Sequence, residues 1–99
     1  MNGTRKILVV DDDDVLRGSL AEQLQLHEEF SCIEAATAAA GLERVRNSHV
    51  DLVLLDVGLP DMDGREACRL MRKAGVKVPI VMLTGADTDS DTILGLGAG

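Results

Sequence analysis

Ile7-Leu8-Val9-Val10-Asp11-Asp12-Asp13-Asp14 is the stretch on which the fold turns. Its first half is a short, β-branched, uninterrupted apolar run, the pattern of a strand buried on both faces of a parallel sheet. Four residues are too few for the apolar region of a signal peptide or for a membrane span. Aspartates stop the run abruptly, and from Val15 the spacing turns helical, with Leu16, Leu20 and Leu24 recurring every fourth position. One of the aspartates is placed to cap this helix and to favour its positive end. A buried strand that runs through acids into a helix is the opening of a β–α unit, and it sets carboxylates at the strand's carboxyl end.

The same grammar returns at Asp51-Leu52-Val53-Leu54-Leu55-Asp56, an apolar run again stopped by a carboxylate. Gly58-Leu59-Pro60-Asp61-Met62-Asp63-Gly64 follows, dense in turn formers and therefore a loop. Arg65 to Ala74 places Ala67, Leu70, Met71 and Ala74 on one helical stripe, and Gly75 is positioned as its C-terminal cap. Phe30 to Ala35 is a weaker strand signal, after which Thr37 caps an Ala-rich helix through Leu42, Val45 and Arg46. Pro79 to Leu83 reads as a fourth strand ending at Thr84-Gly85, and Asp87 to Gly97 as a further helix whose end Gly95 and Gly97 weaken. Strand and helix thus alternate along 99 residues, a length suited to one domain. The expected fold is α/β, a doubly wound parallel sheet with helices on both faces. Such sheets bind ligands beyond the carboxyl ends of their strands, where the winding reverses. Asp11, Asp12, Asp56 and Thr84 are therefore expected to meet at one edge.

Composition limits what that edge can serve. The chain is 45% hydrophobic and 27% charged, as in a soluble globular protein, and Phe30 is its only aromatic residue. A net charge of −7 disfavours a nucleic-acid surface, which needs an excess of Lys and Arg, and suits a cation site or a basic partner. Cys32 and Cys68 lack CxxC spacing and sit in apolar stretches, so both are expected to be reduced, buried and cytosolic. His27 and His49, at a helix end and before a strand, are expected on the surface.

Carboxylates gathered in a crevice repel one another, and a bound cation is the simplest relief. An all-oxygen donor set with room for water suits Mg²⁺ or Mn²⁺ better than zinc, which prefers His and Cys. Such a metal would neutralise incoming phosphoryl oxygens and orient Asp56 for in-line attack, giving an aspartyl phosphate, with Thr84 donating its hydroxyl to a phosphoryl oxygen.

These motifs make the sequence similar to the receiver domain of bacterial two-component response regulators. The resemblance rests on Ile7 to Asp13, on Asp51 to Gly64 and on Val78 to Gly85, and spans nearly the whole chain. It implies a flavodoxin-like fold in which Asp11 and Asp12 are the metal-binding acidic pair and Asp56 is the phosphoacceptor. It further implies that Gly58 ligates the metal through its carbonyl and that Thr84 turns toward the phosphoryl group. The implied partner is a sensor histidine kinase or a histidine phosphotransfer protein docking around Val15 to Leu26. The implied role is signalling, with self-phosphorylation and autodephosphorylation as the only chemistry. Receivers continue into a fifth strand carrying a lysine and a fifth helix, whereas no Lys or Arg follows Lys77 here. A sheet of four strands lacking the last helix is therefore expected, with weak phosphorylation and an open edge beside Val81 that invites self-association.

Rival readings are weaker. A phosphorylation-independent interaction module of the same fold has no reason to keep the acidic cluster. Asp61-Met62-Asp63-Gly64 matches the DxDG nucleophile motif of haloacid-dehalogenase-type phosphatases, but Gly58 and Pro60 separate it from the strand. Asp87 to Asp91 resembles the start of a calcium loop but lacks the glycine and closing glutamate. Gly95-Leu96-Gly97-Ala98-Gly99 ends a helix where a dinucleotide fingerprint would begin one.

Overall fold

The computed structural model describes residues 4–83. Seven elements follow in order: β1 (Arg5–Val10), α1 (Asp14–Leu24), β2 (Phe30–Ala35), α2 (Ala38–Asn47), β3 (Leu52–Asp56), α3 (Gly64–Lys73) and β4 (Ile80–Leu83). The strands form one parallel sheet in the order β2-β1-β3-β4. The chain therefore winds outward from β1 to β2, then crosses back past β1 to β3 and β4. Right-handed crossovers place α1 on one face of the sheet and α2 with α3 on the other. The alternating sheet-and-helix architecture expected from the sequence is the one observed. The final helix expected over 87–97 lies outside the described residues.

The side chains of β1 show why its run is continuous. Leu8 and Val10 join the core under α2 and α3, together with Val53, Leu55, Met71, Ile80 and Met82. Ile7 and Val9 point to the α1 side and are buried as well, at 3% and 0% exposure. Strand β3 alternates instead, with Val53 and Leu55 buried and Leu52 and Leu54 half-buried. Burying side chains of this size contributes about 1.5–3 kcal/mol each, so β1 and β3 carry the sheet.

Local signals set the element ends. Asp13 caps α1, its carboxylate accepting from Val15 N and Leu16 N, and Thr37 caps α2 by accepting from Ala40 N. Gly75 ends α3 at φ 103°. Its N–H donates to Arg72 O, and that of Val76 to Met71 O, both at 3.0 Å, which is a full Schellman closure. Strand β1 starts earlier than Ile7 because Arg5 pairs with Phe30.

The expected burial of Cys32 is corrected. In α1 the stripe of Leu16, Leu20 and Leu24 is only partly covered: Leu16 is 48% exposed, Leu20 and Leu24 are half-buried, and Ala21 is the buried residue. Small Ala21 lets the helix approach β2, where the Cys32 thiol reaches Ala21 O at 3.8 Å. Cys68 is buried, but Cys32 is only half-buried; both are free thiols. His27 and His49 are exposed. Among the described residues no helix is long and apolar enough to cross a membrane.

Candidate functional site

Strands β1 and β3 are neighbours with Val10 opposite Leu55, so the residues that follow each run emerge at the same edge. Asp11 leaves β1 with its N–H still bonded to Ala35 O of β2, at 3.0 Å. Asp11 is 3% exposed, and its Oδ1 accepts from Asp13 N at 2.9 Å, which anchors the carboxylate to the turn. Asp12 is exposed and Asp56 is half-buried. One carboxylate oxygen from each of Asp11, Asp12 and Asp56 lies within 4.8 Å of the others. The winding reverses between β1 and β3, so the cluster sits where doubly wound sheets bind ligands.

The electrostatics follow from that crowding. Burial pushes the Asp56 carboxyl up from its ordinary value, and Asp11 and Asp12 push it further. The N–H groups of Gly58 and Val57 pull the other way. The basic residue nearest the turn, Arg17, is engaged elsewhere. Its guanidinium donates to Asp11 O at 2.7 Å, to Asp14 at 2.7 Å and to Glu34 at 3.1 Å. It therefore stiffens the β1–α1 turn from behind and leaves the crevice acidic. An all-oxygen, acidic donor set of this size fits a hard divalent cation such as Mg²⁺ and lacks the nitrogen and sulfur that zinc favours. Asp11, Asp12 and Asp56 are the residues that would hold it.

The β3–α3 loop is braced by backbone contacts. Val57 N donates to Leu83 O at 3.0 Å, Gly64 N donates to Val57 O at 2.8 Å, and Gly58 bridges to Asp63. Gly64 permits this closure: a Cβ there would lie 2.2 Å from Asp56 O and 2.8 Å from the Val57 Cα. Leu59 is buried at 8% exposure and roots the loop in the core. Asp63 caps α3 by accepting from Arg65 N. The carboxylate of Asp61 accepts from Ala38 N and Ala39 N, both at 2.9 Å. Both aspartates of the DxDG string are thus spent on helix caps, and neither stands at a strand end.

The expected site residues Asp11, Asp12 and Asp56 come together; Gly58 lies in the adjoining loop, with its Cα side about 4.0 Å from Asp56 Oδ2 by the Cβ it lacks. Thr84 lies outside the described residues. Sequence reasoning missed Arg17 and Glu34, although the i,i+3 spacing of Asp14 and Arg17 was a readable sign. A shallow hollow lined by Val45, His49, Val50, Val76 and Val78 lies at the opposite end of the strands, remote from the carboxylates.

Residues 7–99 match the family model described as response regulator receiver domain. Response regulator MprA of a Mycobacterium species is 40% identical over 94 residues, which cover 95% of this chain and 40% of that protein. The alkaline phosphatase synthesis transcriptional regulatory protein PhoP of Bacillus subtilis is 40% identical over 98 residues, covering 96% of this chain and 39% of that protein. This chain therefore spans about 40% of the length of those relatives. A CheY-like receiver domain protein from Methanospirillum hungatei superimposes with a TM-score of 0.82 at 33% identity, covering 97% of this chain and 76% of that one. Response regulator TrrA of Thermotoga maritima, solved in complex with Mg²⁺-BeF, superimposes with a TM-score of 0.78 at 32% identity, covering 85% of this chain and 72% of that one.

Proposed function

The chain belongs to the response regulator receiver domain family, and on that premise we propose that Asp56 is its phosphoacceptor, charged by a phosphohistidine of a sensor kinase or phosphotransfer protein. The observation that carries this reading is the convergence of Asp11, Asp12 and Asp56 within 4.8 Å at the end of the sheet. Asp56 alone of the three is the last residue of its strand, and it is half-buried. In the transfer, a carboxylate oxygen of Asp56 bonds to phosphorus as the P–N bond breaks, and the departing imidazole takes a proton from solvent. Hydrolysis later returns the carboxylate and inorganic phosphate, so the domain acts as a signalling switch and turns over no other substrate.

A divalent cation, Mg²⁺ or Mn²⁺, would supply charge neutralisation for the phosphoryl oxygens. Asp11 and Asp12 would hold that charge in place, with Asp11 anchored by Asp13 N, and the Gly58 carbonyl would complete the protein's share of the ligands. Thr84 contributes a hydroxyl donor to a phosphoryl oxygen. We assign the whole chain to one such receiver domain, working in the cytoplasm as the input portion of a regulator, with output left to other segments.

The test is incubation with acetyl phosphate and Mg²⁺, followed by intact mass, on the protein at its full natural length and on its Asp56→Asn variant. A phosphoryl mass gained by the first and not the second is the expected result. No gain in either, together with no Mg²⁺ binding, would leave a receiver-shaped interaction module.

A further inference from the structure

The loop that follows Asp56 is fastened to a helix from an earlier part of the chain. The first N–H groups of any helix lack partners within it. In α2, Thr37 Oγ1 serves the N–H of Ala40 at 3.1 Å. The donors of Ala38 and Ala39 are served from 23 and 22 residues away, one by each oxygen of Asp61, both at 2.9 Å. A carboxylate with both oxygens engaged at the positive end of a helix is a charge-assisted, two-point attachment. These N–H groups hold the Asp61 carboxyl below the usual carboxylate range, so it stays ionised.

What the attachment fixes is the crest of the loop. Backbone contacts close its base, Gly58 to Asp63 and Gly64 to Val57. Leu59 is rooted in the core. Asp61 is the point at which the crest meets α2, and Ala38, at 0% exposure, makes that end of α2 a rigid support. Gly58 has no side chain through which to be held, so its carbonyl takes whatever direction the loop imposes.

We propose that Asp61 is a positioning residue for the metal: by clamping the β3–α3 loop onto the start of α2 it keeps the Gly58 carbonyl directed at the cluster of Asp11, Asp12 and Asp56. This rests on the assignment of Gly58 and the aspartates as metal ligands. Asp61 touches neither metal nor phosphoryl group. Because coupling is reciprocal, metal binding must in turn tighten the Ala38 and Ala39 N–H bonds.

The experiment compares wild type, Asp61→Ala, Asp61→Asn and the double variant Asp61→Ala/Ala39→Glu in the protein at its full natural length. Ala39 is exposed, and a glutamate there returns negative charge to the start of α2 without touching the loop. Mg²⁺ affinity is read by titration calorimetry, metal-free stability by thermal melting, and the Ala38 and Ala39 amides by hydrogen exchange with and without Mg²⁺. Asp61→Ala is expected to lower Mg²⁺ affinity about tenfold, the scale of losing an outer-shell partner. Asp61→Asn, which keeps one acceptor oxygen, falls between. The double variant regains melting temperature but not Mg²⁺ affinity, and Mg²⁺ slows exchange at Ala38 and Ala39 in wild type, less so in Asp61→Asn and not in the two Asp61→Ala proteins. An Asp61→Ala protein that melts earlier yet binds Mg²⁺ as wild type does would reduce Asp61 to a helix cap, as would recovery of both properties in the double variant. Wild type that binds no Mg²⁺, a distinct result, would overturn the ligand assignment and this proposal together.

Discussion

Strands β1 and β3 lie side by side, both apolar and both running into aspartate, yet they pass the chain on in opposite ways. After β1 the turn into α1 is short and its acids are consumed locally. Asp11 accepts from Asp13, Asp13 caps the helix, Asp14 meets Arg17, and Arg17 reaches back to the Asp11 carbonyl. After β3 the chain takes a longer loop closed by its own backbone. Among the described residues Asp56 makes no salt bridge, and burial and its acidic neighbours raise its pKa. A carboxylate held inside a satisfied turn suits the fixed-ligand role proposed for Asp11. One that faces a backbone-braced loop, with its pKa raised by burial and acidic neighbours, suits the reacting role proposed for Asp56.

The largest effect should separate these two aspartates. Asp56→Asn is expected to abolish phosphoryl uptake in the mass assay while leaving the fold intact, because the amide removes only a strained charge. Asp11→Asn retains an oxygen for the Asp13 N–H, so the turn survives. Its Mg²⁺ affinity should fall by more than the roughly tenfold typical of losing an outer partner, and phosphoryl uptake should return as Mg²⁺ is raised. Should Asp11→Asn remain inert at saturating Mg²⁺, the division into fixed ligand and reacting group would not hold.

Next come the glycines of the two connections. A Cβ at Gly64 meets backbone of Asp56 and Val57, which cannot yield, whereas one at Gly18 in α1 meets nothing within 4 Å. Gly64→Ala should destabilise the protein by about 1–3 kcal/mol, as overpacking does. Gly18→Ala should stabilise it by roughly 0.5–1 kcal/mol by relieving helix entropy. Urea unfolding midpoints read both, and equal midpoints would show that the loop is not braced as tightly as its hydrogen bonds imply.

The β1 and β3 halves differed in legibility too. Strand β1 could be read from its unbroken run because both its faces are covered, and Asp11, Asp12 and Asp56 because each stops an apolar run. The exposure of Leu16 could not be read, since periodicity shows which face of a helix is apolar and not what covers it. The Asp61 clamp was equally hidden. Local sequence offered Asp61 as a turn former, and only the tertiary fold sets it opposite the free N–H groups of α2. Thr84, offered by the same strand-end pattern, lies outside the described residues.

A smaller effect belongs to the β1 turn alone. Asp13→Ala leaves the Val15 and Leu16 N–H groups without their acceptor and should cost about 1 kcal/mol, the usual loss for a helix cap. It removes no donor from Asp11, whose carboxylate accepts from the Asp13 backbone N–H. Mg²⁺ affinity should therefore stay within about twofold of wild type, given that the ligand charges are unchanged. A tenfold loss would mean that the cap, and not only the backbone, holds Asp11 in place.

The smallest effect is a slope with pH in metal-free protein, and it sets two acids of the β3 side against each other. The folded-state pKa of Asp56 is raised above the ordinary 3.8, so in the window from 3.8 up to that raised value the folded chain binds more protons than the unfolded one. Stability contributed there must decline as pH rises through the window and then level off. Asp61 is lowered from the same 3.8 by the N–H groups of Ala38 and Ala39, so its contribution is complete above 3.8 and is lost as pH falls through its depressed value. Urea unfolding in chelator at a series of pH values should show both bends. Asp56→Asn should remove the decline above 3.8 and leave the loss below it, and Asp61→Asn should keep the decline and lessen the loss below 3.8, to which the likewise lowered Asp51 and Asp63 also contribute. If Asp56→Asn left the upper slope unchanged, the Asp56 carboxylate would not be the uncompensated charge on which the contrast between the two strand ends depends.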